Sequence, residues 1–309
     1  MNRLQVILFK LMGFGLNLMS LIAPDKTAQL ALRIFGTPPR PRLRPKELAF
    51  LNSARQLRRA AAGREIVEYH WGPAEGPLAL LSYGWGYNAG RWRHFVPALI
   101  EAGWRVIAYD PSGHGLAPKG FMHMPLNAAI IMDMLHTYGP AEAIVGHSFG
   151  GSSSVYAVHR VPAGLRPKRM VVMASFSYVP QVFQDYKQAL GIWPTLYWPM
   201  VRLAEKMLGD RLDQFDLARL SGDLDEIDAL LVHDPADQVT PFAHAQRFHS
   251  FWPGSALLSA KGAAHHLGHP EVTEAVLHFV LHGTTPLKAQ RQEKPLPVAH
   301  ELVRYFAGL

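Results

Sequence analysis

Between residues 65 and 283, short apolar runs alternate with stretches whose apolar positions recur every three or four residues. The runs at 65–71, 78–83, 105–109, 142–147, 170–175, 229–233 and 255–259 have the length and content of strands. Helical spacing fills 90–102, 125–138, 149–160, 236–250 and 271–282. Strands joined through helices of this length pair in parallel by crossovers, and such a sheet must be covered on both faces. The pattern therefore predicts an α/β fold with a mostly parallel central sheet flanked by helices. Residues 176–228 break the alternation, with no strand signal but with Phe176, Tyr178, Phe183, Tyr186, Trp193, Tyr197, Trp198 and Met200. That segment is too long for a simple loop and too aromatic for a linker, so it reads as a small helical cap inserted between core segments 65–175 and 229–283. A tail, 284–309, follows, with a short helix expected around 297–308.

The first 64 residues follow a different pattern. Residues 4–23 are mostly apolar, and Arg3, Lys10 and Asn17 recur every seven residues, forming one narrow polar stripe on a helix. A cleaved signal peptide fits poorly, because Lys10 interrupts the apolar run and Leu21-Ile22-Ala23-Pro24 is a weak cleavage site. A spanning helix would carry that lysine at mid-depth, at a cost of roughly 2.5–3.5 kcal/mol. A helix lying in a membrane interface, or against the protein's own apolar surface, avoids both objections. Next comes a connector, Thr37-Pro38-Pro39-Arg40-Pro41-Arg42-Leu43-Arg44-Pro45, which cannot be helical. Residues 46–62 regain helical spacing through Leu48, Leu51, Ala54 and Leu57. The segment 1–64 is thus expected to be a helical arm and linker.

Composition narrows the function classes. With 309 residues, 49% of them hydrophobic, the chain is too apolar for disorder, and its lack of cysteine excludes thiol nucleophiles, thiolate metal sites and disulfide scaffolds. The net charge of +7 is concentrated at one end: the first 64 residues hold twelve Lys and Arg against Asp25 and Glu47. No groove-reading or base-stacking motif accompanies it, so no nucleic-acid partner is expected. An anionic membrane surface, met through residues 1–44, suits the arm better. The expected location is cytoplasmic, peripheral to the membrane or anchored there through the N-terminal helix.

One constellation carries chemistry. At Gly146-His147-Ser148-Phe149-Gly150 a strand runs directly into a helix, with serine at the turn. Gly146 and Gly150 are required as elbow support, because side chains there would collide where strand and helix cross. A serine hydroxyl needs a base to take its proton and an acid to orient that base. The base candidate is His265, in a loop after the last strand signal, and the acid candidate is Asp237, just after the preceding strand. All three fall at C-terminal ends of strands, where an open α/β sheet builds its site.

From about residue 65 to 281 the chain resembles the α/β-hydrolase superfamily, of the serine esterase and lipase kind, in its elbow and in the order Ser148, Asp237, His265. Asp110-Pro111-Ser112-Gly113-His114-Gly115 is similar to the family's next-strand loop, although Ser112 stands where relatives often have arginine. The resemblance implies an acid four residues before a proline, which selects Asp237 over Asp234, and a histidine ending Gly-x-x-His, which selects His265 over His266. It also implies an oxyanion hole formed by the backbone N–H groups of Trp85 and Phe149. Here the sequence departs from the family, with Tyr83-Gly84-Trp85-Gly86 where His-Gly is common.

These readings imply a serine hydrolase cleaving carboxylic esters of apolar acyl or aryl substrates, without cofactor or metal. An acyltransferase or thioesterase with the same triad, or a catalytically silent binding module, are the alternatives. His265, His266 and His269 lack the carboxylate motif of a metal site. His114 and His147 are expected to make packing hydrogen bonds, and Asp223, Asp225, Glu226 and Asp228 to form a solvated helix face. The aromatic insertion would act as a lid.

Overall fold

In the computed structural model, which describes residues 3–291, every apolar run of the 65–283 region is a strand. A hairpin of β1 (Arg55–Ala61) and β2 (Arg64–Trp71) opens the sheet. It is followed by β3 (Leu78–Ser82), β4 (Arg105–Asp110), β5 (Ala143–His147), β6 (Arg169–Met173), β7 (Asp228–His233), β8 (Ala256–Ser259) and β9 (Gln290–Arg291). Their order in the sheet is β1-β2-β4-β3-β5-β6-β7-β8-β9. Pairing from β4 through β8 is parallel, while β2 runs antiparallel to both β1 and β4, and β9 antiparallel to β8.

Helices cover both faces, as a parallel sheet demands. On one face Ala79, Leu81, Val106, Ala108, Val145 and Val171 form a core with Leu99 of α4 (Val96–Glu101) and with Val276 and Phe279 of α11 (Pro270–His282). The alternate residues Ile66, Leu80, Ile107, Ile144 and Met170 are equally buried on the other. A second helical layer is formed by α5 (Met124–Tyr138), α6 (Phe149–Arg160), α9 (Leu217–Ser221) and α10 (Ala243–Phe251).

Three local expectations are corrected. Residues 46–62 are not one helix: α3 (Pro45–Leu51) ends at Asn52, and β1 pairs along all seven of its residues with β2. The connection is the two-residue turn Ala62-Gly63, both at positive φ (48° and 70°), the backbone that suits the twist of a hairpin. Pairing with the next segment overrode a helical period carried by only a few leucines. The helix predicted over 236–250 starts at Ala243, because the Asp237 carboxylate accepts from the Val239 and Thr240 N–H groups and holds a turn there. The acidic run is no helix face: 223–226 form turns, in which Asp223 meets His159 and Glu226 meets Arg166, and Asp228 opens β7.

The described residues fall into two compact units, one of residues 3–37 and 178–216, the other of 38–177 and 217–291. This differs from a division into arm, core, cap and tail. Residues 38–64 join the sheet unit, since β1 is one of its strands, and 217–228 join it through α9. The first unit consists of α1 (Arg3–Ile22), α2 (Pro24–Phe35), α7 (Val179–Leu190) and α8 (Pro194–Leu208). Within it α2 buries Thr27, Ala28, Ala31 and Leu32, and Phe35 packs against the rings of Phe183 and Tyr186. Helix α1 is turned the other way, burying Gly13, Leu16, Asn17 and Ser20 and exposing most of its apolar residues. No helix among the described residues is long and apolar enough to cross a membrane. The helix expected around 297–308 lies outside the described residues.

Candidate active site

Strand β5 ends at His147 and α6 begins at Phe149, so Ser148 alone makes the turn. Its φ of 53° and ψ of −123° are strained for a residue with a side chain, a cost of roughly 1–3 kcal/mol that the surrounding packing must offset. The packing is tight enough to do so. A Cβ on Gly146 would overlap the Gly151 backbone, and one on Gly150 would overlap the Ser82 carbonyl. The serine N–H donates to Met173 O on the neighbouring strand at 2.8 Å. Ser148 itself remains partly exposed.

Two loops at the same end of the sheet bring up the partners. His265 follows β8, and its Nε2 lies 3.1 Å from Ser148 Oγ. Its Nδ1 lies 2.8 Å from Oδ2 of Asp237, which follows β7. The structure thus joins Ser148, His265 and Asp237 in one hydrogen-bonded chain. Asp234 is engaged elsewhere, accepting from the N–H groups of Ala236 and Ala264 at 2.9 and 2.6 Å and so shaping both loops. His266 is exposed, with its ring against Tyr87.

The carboxylate is built to stay charged. Burial acts to raise the Asp237 pKa, but hydrogen bonds from His233 and His265 and from the Val239 peptide outweigh it, holding the group well below the usual carboxylate range. The sequence reading missed His233, whose Nε2 lies 2.7 Å from Thr240 O and 3.3 Å from Asp237 Oδ2. Its only prior signal was its position four residues before the acid, at the end of a strand.

His147 also has more than a packing role. Its Nε2 bonds to the His265 carbonyl at 2.8 Å, tying the histidine loop to the elbow, and its ring stacks on Tyr83 with centroids 4.7 Å apart. Burial and the neighbouring His265 push its pKa down to about 3, so it is neutral near pH 7. Tyr83 is in turn held by Arg91, whose Nε donates to the phenol oxygen at 2.9 Å. His114 bonds to Ser112 O at 3.2 Å within its loop, and burial pushes its pKa down to about 4. That loop is anchored by buried Asp110, which accepts from Tyr69 Oη and from the Ala89 and Leu116 N–H groups.

The Tyr83–Gly86 loop closes over the elbow. A Cβ on Gly84 would come within 3.2 Å of both His147 Nδ1 and Ser148 Cβ, which is why the small residue is needed there. The Trp85 ring meets Phe149 edge-on at 5.0 Å. Trp85 and Phe149 therefore stand beside the serine, on the loop and at the first position of α6 respectively.

The family is settled by comparison. A family model described as serine aminopeptidase, S33, matches residues 77–236, and one described as TAP-like protein matches 214–291. The chain belongs to the α/β-hydrolase superfamily. Among curated relatives, the bifunctional esterase/perhydrolase of Acinetobacter calcoaceticus is 28% identical over 117 residues, covering 36% of this chain and 42% of that protein. The chain spans less than half the length of the curated relatives it matches. Among solved structures, Est1E of Butyrivibrio proteoclasticus superimposes with a TM-score of 0.58 at 18% identity, covering 73% of this chain and 97% of that one. The esterase of Exiguobacterium antarcticum gives a TM-score of 0.57 at 19% identity, covering 73% and 99%. These structural likenesses concern the fold.

Proposed function

We propose that the protein is a serine hydrolase of carboxylic esters, with Ser148 as nucleophile, His265 as general base and acid, and Asp237 as the group that orients and stabilises the imidazole. The observation that carries this reading is the continuous relay from Ser148 Oγ through both His265 nitrogens to the Asp237 carboxylate. Ser148 Oγ attacks the ester carbonyl while its proton passes to His265 Nε2, and the imidazolium so formed is held by Asp237 through Nδ1–H. The backbone N–H groups of Trp85 and Phe149 receive the developing oxyanion. Collapse of the tetrahedral species expels the alcohol, which takes the proton from His265 and leaves an acyl group on Ser148. Water, deprotonated by His265, attacks this acyl-enzyme and releases the acid.

Esters with apolar acyl or aryl groups are the proposed substrates. The esterase named among the relatives supports that choice, as does the apolar wall that Trp85 and Phe149 form beside the serine.

A fluorophosphonate probe tests the nucleophile, with Ser148→Ala as control. Labelling of the wild type that disappears in the variant is the expected result. A folded wild type that does not label would overturn the reading. Turnover of a p-nitrophenyl ester series, compared with aminoacyl p-nitroanilides, tests the substrate class. Release from the anilides with none from the esters would replace an esterase by a peptidase.

A further inference from the structure

The first unit contains a helix mounted inside out. Helix α1 (Arg3–Ile22) fastens to the turn between α7 and α8 through polar atoms. Asn17 Nδ2 donates to Gly191 O at 2.8 Å, the Trp193 N–H donates to Asn17 Oδ1 at 2.8 Å, and Lys10 Nζ donates to Gln188 O at 2.5 Å. Ser20 Oγ lies 3.3 Å from Thr195 Oγ1. At Gly13 the two backbones come so close that a Cβ would overlap the Leu190 carbonyl. These contacts fix the rotation of the helix about its axis, and the side they fix inward is its polar stripe.

The outward side is apolar. Leu4, Ile7, Leu11, Phe14, Leu18 and Ile22 follow one another at three- and four-residue steps, and all are 45–90% exposed. With Leu8, Met19 and Leu21, also exposed, the apolar surface wraps roughly 160° of the helix at 3.6 residues per turn. Trp193, whose ring meets Phe14 edge-on, extends the exposed apolar surface to the start of α8, on which Trp198 is also exposed. An apolar surface of this extent marks an interaction site.

We propose that α1 and the two tryptophans form a plate that docks in the interface of an anionic lipid bilayer. A partner helix covers a narrow seam of about two positions in seven, roughly 100° of the helix, whereas this surface is about half as wide again and suits a fluid apolar phase. Charge complementarity points to anionic lipid. Helix α1 carries basic residues and no acidic ones, and residues 3–37 of this unit hold four Lys and Arg against Asp25 alone. Each cation near such a surface adds attraction. Exposed tryptophans belong at the level of lipid headgroups. With its Gly13–Ser20 face fastened to α7 and α8, the helix lies along the surface rather than through it. For the proposed reaction, docking would bring the enzyme to a phase in which apolar esters are concentrated.

The test is flotation of the full chain with vesicles of phosphatidylcholine mixed with phosphatidylglycerol. The wild type should float, and a variant combining Leu11→Gln, Phe14→Gln and Leu18→Gln should lose roughly tenfold or more of its partitioning. Because these side chains are exposed, the variant should keep the melting temperature of the parent. The absence of cysteine permits a second readout, in which an environment-sensitive fluorophore is attached at Leu11→Cys or, as control, at exposed Glu75→Cys. Vesicles should shift the first label to the blue and leave the second unchanged. Failure of the wild type to float, or equal flotation of the triple variant, overturns the proposal. So does a lipid-free wild-type dimer that the triple variant turns into monomers without any vesicle binding, which would assign the face to a second copy. None of these readouts depends on ester turnover.

Discussion

The elbow at Ser148 and the outer face of α1 are both regular in sequence, but different things hold them in place. At the elbow each residue type answers to an atom beside it: Gly146 to Gly151, Gly150 to Ser82, Gly84 to Ser148. On α1 most of the repeating leucines are exposed among the described residues, and the narrow polar stripe makes the contacts. A hydrophobic pattern thus reports that a helix forms and where its stripes lie. It does not report which stripe faces the protein.

The largest effect expected at the elbow end of this comparison is on catalysis. Asp237→Asn should lower kcat/KM on a turned-over ester by about ten-thousandfold, since an amide neither accepts the Nδ1–H as a carboxylate does nor stabilises the imidazolium. A loss below about tenfold would show that the buried carboxylate only shapes its loop.

The second effect is on acid stability and belongs to the sheet unit. His147 and His114 titrate near 3 and 4 in the folded chain but near 6.5 when unfolded, so between those values the unfolded state binds more protons. Their contribution is intact above pH of about 6.5, declines as pH falls below it, and levels off once the folded values are reached. Asp237, depressed by its partners, adds a loss that sets in as pH drops below about 3.8. Melting temperature followed from pH 8 to pH 3 should fall steadily from about 6.5 downward, and a flat profile to pH 5 would contradict the buried, neutral histidines.

The smallest effects distinguish the two sides of α1. Asn17→Ala leaves the Gly191 carbonyl and the Trp193 N–H without their bonds and should cost about 1–3 kcal/mol in denaturant unfolding. Leu18→Gln, on the exposed side, should stay within about 0.5 kcal/mol of the parent. A reversed ranking would mean that the apolar face is the packed one.

Much of the sheet was legible because buried parallel strands leave unmistakable apolar runs, as in Arg105–Asp110 and Arg169–Met173. Strand β1 was not. Its Arg55, Arg58 and Arg59 lie at an exposed edge and carry no alternation, and only pairing with β2 makes it a strand. Ser148 was legible because an elbow needs its glycines at fixed offsets. His265 and Asp237 were legible as groups just after strands, and the resemblance to a family selected them over His266 and Asp234, whereas His233 and the His147–His265 bond depend on loops meeting in space.

The sequence by itself determined the seven strands β2 to β8, the turn that lifts one serine above the sheet, and the helical character of residues 3–22. Those follow from short-range rules of periodicity, backbone strain and close approach, which act within a few residues. Tertiary structure alone decided that 117 residues of separation close to a hydrogen bond between Ser148 and His265. It also decided that the first helix joins the 178–216 segment with its polar stripe inward. Partners distant along the chain settle such choices, and no local pattern encodes which distant surface a segment will meet.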